Sequence, residues 1–286
     1  MKIIYTKQTL HGQLQTYRNT GRTIALVPTM GALHDGHIAL IRHAQTLADV
    51  VVCSIFVNPT QFNDPKDLEK YPRPIENDIA LLEAARCNVL FQPEVTEMYT
   101  EGEQWHLDLG KLEQELEGPH RPGHFQGVTQ IVKKLFDAVQ PDVACFGQKD
   151  FQQYKVVEYM IKKLGLPVRL EMCPTVREAD GLAMSSRNVR LTPTGRSQAL
   201  ALYRALQQTK HDLHRKDLAT LRKDAVTMLE SSPGVQLEYF AIYNADTFEE
   251  AMAAAPGQNL VALVAAWVDG VRLIDNMLLQ PPTGPR

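Results

Sequence analysis

The chain has 286 residues, of which 44% are hydrophobic and 22% charged, with a formal net charge of −3; this is the make-up of an ordinary globular protein with one large or two modest domains. The charge balance carries no signature of nucleic-acid or membrane binding, the apolar run LVALVAAWV near the end is about half a bilayer span, and MKIIYTKQTLHGQLQ at the start lacks the apolar core of a signal peptide. Cys53, Cys87, Cys145 and Cys173 form no Cys-x-x-Cys pair, which points to small buried hydrophobes in a reducing cytosol.

In chain order, IALVP (24–28) predicts a strand and 36–48 a helix with His37, Leu40, Ile41, Ala44, Leu47 and Ala48 on one face. VVVCSIFV (50–57) is a continuous apolar, β-branched run, the mark of a strand buried on both faces. Helices follow over 76–87, 128–139 and 150–165, the last closed by Gly165, and strands over 88–91, 143–147 and 168–173. Strand and helix in alternation imply a parallel sheet covered on both sides, with ligands at the carboxyl ends of its strands. Beyond residue 178 the texture changes to helices over 193–213 and 217–231, a strand over 235–243, and two strands joined at Asp269-Gly270, a hairpin signal. The fold expected is therefore α/β: a Rossmann-like parallel-sheet domain (1–178) and a smaller α+β domain (179–286). The tail QPPTGPR (280–286) is expected to be disordered.

Four polar clusters follow strands and should face one crevice: PTMGALHDGH (28–37), VNPTQF (57–62), GQKDFQQ (147–153) and PTVREADGLAMSSRN (174–188). In the first, Gly31 and Gly36 let backbone approach a bulky ligand, and the N-terminus of the following helix favours an anion. His34 and His37 share a face. The helix dipole disfavours their charged form, but a neutral imidazole still donates N–H to a phosphate oxygen. A zinc site lacks a third ligand, and neither a Walker loop nor Gly-x-Gly-x-x-Gly is present.

These residues carry a resemblance. HDGH is similar to the His-x-Gly-His signature of the nucleotidylyltransferase and class I aminoacyl-tRNA synthetase superfamily, whose members bind ATP on this kind of sheet. VPTMGALHDGH, SIFVNPTQF, YPR (71–73), LEGPHRPGHFQGV (116–128), CFGQKDFQQ (145–153), MSSRN (184–188) and LIDN (273–276), in order and spacing, resemble the pantothenate synthetase family over nearly the whole chain. The resemblance implies an AMP-forming ligase that joins pantoate to β-alanine through a pantoyl-adenylate.

That chemistry needs a cluster of donors. A carboxylate must attack the α-phosphorus of a polyanion, and one unit-charge repulsion at about 4 Å is roughly 1 kcal/mol in water and about 4 kcal/mol at an effective dielectric of 20. Several fixed donors and a magnesium ion must spread that charge. By resemblance, the catalytic group is His37, His34, Lys149 and Arg187. The ATP site takes Met30, Gly31, Ala32, Leu33, His34, Asp35, Gly36 and His37, then Gly147, Gln148, Lys149 and Asp150. Val176, Met184, Ser185, Ser186 and Arg187 complete it, the last three as a clamp on the β- and γ-phosphates. Gln61 and Gln153 would hold pantoate through amides that both donate and accept, with Asn58 and Arg121 beside them. His124 and Phe125 are read as structural. Gln148 stands where glutamate is expected. Asp78 or Asp150 is considered for the magnesium ion, which ATP itself would largely hold. The second domain is expected to act as a lid, and the partner is expected to be a second copy, in a homodimer built on the first domain. Two other readings share the motifs: a nucleotidylyltransferase that keeps the nucleotide in its product, and a non-catalytic ATP-binding regulator. The Gln61/Gln153 pair speaks against the first, and donors arranged around the α-phosphorus speak against the second.

Overall fold

A computed structural model describes residues 1–63, 65–255 and 257–279; the tail over 280–286 lies outside them. The chain divides into two compact units, Met1–Pro174 and Thr175–Arg286.

The first unit is a six-stranded sheet, parallel throughout: β1 (Lys2–Ile4), β2 (Ile24–Thr29), β3 (Val50–Ile55), β4 (Val89–Phe91), β5 (Val143–Gly147) and β6 (Arg169–Cys173), in the spatial order β1-β4-β3-β2-β5-β6. The apolar runs are continuous because each central strand serves two cores. In β2, Ile24 and Leu26 enter one hydrophobic cluster while Ala25 and Val27 enter the other; in β3, Val50 and Val52 part in the same way from Val51, Cys53 and Ile55. Side chains alternate across a strand, so a sheet covered on both faces needs apolar residues at every position. Full burial of each larger aliphatic side chain contributes about 1.5–3 kcal/mol.

Among the described residues, five longer helices cover this sheet: α1 (Lys7–Arg18), α2 (Asp35–Leu47), α3 (Ile75–Ala84), α4 (His124–Val139) and α5 (Phe151–Leu164). Gly165 closes α5 in the left-handed region at φ 61°, as expected of a glycine in that place. Chain order reverses at β2, which pairs with β3 on one side and β5 on the other. Such a switch point opens a crevice at the carboxyl ends of the strands.

The second unit packs α6 (Pro193–Asp212) and α7 (Leu218–Glu230) on an antiparallel sheet of β7 (Val235–Asn244), β8 (Leu260–Val268) and β9 (Val271–Leu278), with β8 central. The expected hairpin is formed: Asp269 and Gly270 both take positive φ, 54° and 70°, which a two-residue type I′ connection requires. No helix of the described residues is long and apolar enough to cross a membrane.

The structure differs from the sequence reading in several places: the units part after Pro174 rather than after 178, and the strand read over 50–57 and the helix read over 76–87 end at Ile55 and Ala84. β1 and α1 carry no clear sequence signal; β1 has three residues at the sheet edge, and α1 is polar with Gly12 inside it and only Leu10 and Leu14 buried. The helix read from Val128 begins at His124, because Gly127 sits within α4 rather than before it.

Candidate active site

The crevice is built from the turns that leave β2, β3 and β5. After β2 the chain takes two successive positive φ angles, 81° at Gly31 and 49° at Ala32, and then starts α2 with His34 as its cap. The two histidines cap the helix reciprocally. Gly36 N donates to His34 Nδ1 at 3.2 Å, and His34 N donates to His37 Nδ1 at 3.2 Å. The rings lie 4.0 Å apart, tilted by 40°. An Nδ1 that accepts a hydrogen bond leaves a neutral imidazole with its proton on Nε2. Desolvation, with a smaller contribution from Lys149, lowers the His34 pKa to about 4. Desolvation, His34 and Lys149 lower that of His37 to about 3. Both rings are therefore neutral donors at physiological pH, in the tautomer the backbone selects.

The loop before them is held from below. Asp78, in the first turn of α3 and 1% exposed, accepts from Ala32 N at 2.8 Å and from Leu33 N at 2.7 Å. Burial pushes its carboxyl upward against these two hydrogen bonds. Both oxygens of this candidate magnesium ligand are thus on backbone amides. Met30, Gly31 and Asp78 also help to line a cavity of about 350 Å³ that reaches Phe56, Arg73 and Gln92.

Gln61 ends the turn Pro59–Gln61 after β3 and is buried. Asn58 Nδ2 donates to Gln61 Oε1 at 3.2 Å and to the Gly127 carbonyl at 3.0 Å. Asn58 Oδ1 accepts from the Tyr99 hydroxyl at 2.6 Å and from Thr60 at 3.1 Å. With its acceptor occupied by hydroxyls, Asn58 presents N–H to Gln61, which turns the Gln61 Nε2 towards Met30 Sδ, 2.8 Å away. His124 Nδ1 donates to the Gln61 carbonyl at 2.8 Å; desolvation, then the charge of Arg121, lowers its pKa to about 3. Gly127 lets α4 press on this turn: a Cβ there would lie 2.3 Å from the Thr60 carbonyl oxygen.

From β5 come Gly147, Gln148, Lys149 and Asp150, with Lys149 Nζ 3.7 Å from Asp150. Gln153 follows in the first turn of α5, partly buried. Its neighbour Gln152, which the sequence does not single out, is 3% exposed; it accepts from Glu117 N and donates to the Leu112 and Glu115 carbonyls. Arg121 lies 3.7 Å from Glu117.

The last cluster belongs to the second unit. Val176 and Met184 face each other across a short turn, joined by Met184 N to Val176 O at 3.0 Å. Arg177 anchors this turn with two hydrogen bonds to Asp275, at 2.7 and 2.9 Å, and stacks over Tyr203 with 4.7 Å to the ring centre. Ser185 Oγ accepts from Arg187 N at 3.2 Å, and Asn188 Nδ2 reaches the Ala183 carbonyl at 3.0 Å. LIDN, a motif without a role in the sequence, supplies Asp275 as the counter-ion.

A family model described as pantoate-beta-alanine ligase matches residues 2–278. The chain belongs to the pantoate-β-alanine ligase family. The pantothenate synthetase of Porphyromonas gingivalis strain W83 is 45% identical over 279 residues, covering 97% of this chain and 99% of its own. That of Moorella thermoacetica is 44% identical, with 98% and 99% covered. The crystal structure of pantothenate synthetase from Thermus thermophilus superposes with a TM-score of 0.92 at 41% identity, covering 98% of this chain and 100% of its own. The pantoate-β-alanine ligase of Francisella tularensis, complexed with β-γ ATP and β-alanine, gives 0.76 at 33% identity, with 98% of each chain covered. Within the first unit, the histidine pair, the Gln61 turn and the Lys149 turn occupy the carboxyl ends of adjacent strands.

Proposed function

We infer that this crevice activates the carboxylate of pantoate with ATP and passes the acyl group to β-alanine. The reaction is ATP-dependent pantoate-β-alanine ligation, giving pantothenate, AMP and pyrophosphate. First, a pantoate oxygen bonds to the α-phosphorus as the bond from that phosphorus to the bridging oxygen breaks and pyrophosphate leaves. Second, the unprotonated amine of β-alanine adds to the acyl carbon of the pantoyl-adenylate. The bond to AMP then breaks with its electron pair, and the amine's extra proton passes to solvent.

The observation that carries this reading is the tautomer of the histidine pair. Two neutral rings with Nε2–H, set at the positive end of α2, are preorganised donors for phosphate oxygens that gain charge in the first step. We assign His37 and His34 this role and Lys149 that of the point cation; its charge is close enough to depress both imidazoles. Gly31, Ala32, Leu33, Asp35, Gly36, Gly147, Gln148 and Asp150 would shape the nucleotide site with Met30. Gln61 and Gln153 would hold pantoate, with Arg121 beside them. Asn58 would act by orienting Gln61. Ser185, Ser186 and Arg187 would take the outer phosphates, and Val176 and Met184 the nucleoside, when the second unit closes as a lid. Among the described residues, no three His, Cys, Asp or Glu side chains gather as a metal site, and both Asp78 oxygens are engaged. The donor set fits a magnesium ion carried mainly by the triphosphate, with Asp150 as the remaining candidate carboxylate. A homodimer is proposed on resemblance, and a cytosolic setting on four buried free thiols.

The test is a product assay with pantoate, β-alanine and ATP, each omitted in turn. AMP and pantothenate should accumulate only with all three. Steady ADP formation, or a labelled adenylate retained in a stable conjugate, would refute the reading.

A further inference from the structure

We propose that Asp78 is a positioning residue for the adenylating step: its carboxylate clamps the Ala32 and Leu33 amides and so sets the two imidazoles. The inference rests on the function proposed above.

Four consecutive backbone N–H groups of the loop are taken up inside the protein. Gly31 N donates to Thr29 Oγ1 at 3.2 Å, Ala32 N and Leu33 N to the two oxygens of Asp78, and His34 N to His37 Nδ1. Successive amides on a left-handed stretch form a concavity that suits an anion. In a phosphate-binding loop, that concavity takes the nucleotide. Here the chain fills it with its own carboxylate, so phosphate recognition passes to the next residues, His34 and His37. The fit is close: a Cβ on Gly31 would meet Asp78 Oδ2 at 3.0 Å and Ile55 Cγ2 at 3.1 Å. Ala32, at φ 49°, occupies a conformation that side chains rarely adopt without surrounding support. The two bonds to Asp78 supply that support directly before the helix cap. If they are lost, Ala32 can return to negative φ, and the peptide leading into His34 rotates.

Asp78→Asn keeps the shape but replaces one accepting oxygen with a donor that opposes an amide. The expected result is a fall of roughly 100-fold in kcat for pantoate-dependent ATP–pyrophosphate exchange, the size of effect that a misplaced reacting group produces. The KM for β-alanine and the magnesium concentration for half-maximal rate should not move. Ala32→Gly in the Asp78→Asn background removes the cost of positive φ and should restore part of kcat. An exchange rate close to wild type would overturn the proposal. So would an increased magnesium requirement with kcat restored at saturation, which would make Asp78 a metal ligand, or a double variant no better than Asp78→Asn. Amide hydrogen exchange on the wild-type protein reads the clamp without any variant or turnover. Ala32 and Leu33 should be protected, and exchange as fast as in an exposed loop would sink the idea. A wild type that makes no pantothenate would instead refute the function, leaving the clamp to be judged by exchange alone.

Discussion

Two turns of this molecule hang from buried carboxylates, and their anchors differ in kind. Residues 31–33 are tied to Asp78 through main-chain amides, with no cation in the contact. Residues 177–183 are tied to Asp275 through the guanidinium of Arg177. Amide anchoring dictates the backbone path residue by residue, which suits a loop whose next residues must present two rings in one tautomer. Guanidinium anchoring fixes a single side chain firmly and does not dictate the backbone path of the segment after it, 184–188. The first kind suits geometry that must be preset, and the second suits a footing from which a neighbouring segment can act.

Breaking the second anchor should give the largest change in stability. Asp275→Ala leaves the partly buried guanidinium of Arg177 without its counter-ion, a loss that costs about 3–5 kcal/mol for a fully buried pair and less here. A lower urea midpoint should report it, and a midpoint like that of wild type would deny the anchor its importance. His37→Ala removes one preset donor and should lower kcat by about 10²–10³-fold, with the thermal midpoint much less affected. Activity near wild type would show that the phosphates are held elsewhere. The finest comparison is with acid. His34, His37 and His124, all in the first unit, have folded pKa values lowered from 6.5 to about 4, 3 and 3. Below pH 6.5 the unfolded chain binds protons that the folded rings refuse. The stability is thus present above that value and declines as pH falls towards 4 and 3, by at most roughly 1.4 kcal/mol per pH unit for each ring. Urea titrations from pH 7 to 4 should show this slope, and His124→Gln should reduce it.

The parallel sheet is readable because β2 and β3 are apolar at nearly every position, and the histidine motif because it sits where a strand hands over to a helix. The supports are not readable. Asp78 reads from the sequence only as a candidate magnesium ligand, and its hold on the Ala32 and Leu33 amides is seen only in the fold. Arg177 and Asp275 are distant in sequence, so nothing local pairs them. Gly127 reads as a helix breaker until the Thr60 carbonyl is seen against it. The sequence suggests Asn58 as a substrate contact, but its polar atoms serve Gln61, Gly127, Tyr99 and Thr60. Chemistry-bearing residues leave a local signature; the groups that aim them do so only through tertiary contact.

The reciprocal cap has a practical bearing on mutagenesis. Because His34 and His37 begin α2 with the same rings proposed to meet the phosphates, an alanine at position 34 would fray a helix and delete a proposed donor at once, and its kinetics would confuse the two. Asparagine at 34, a good cap with a shorter reach, would keep the helix start while withdrawing the distal N–H. The difference between the two variants separates architecture from recognition at one residue.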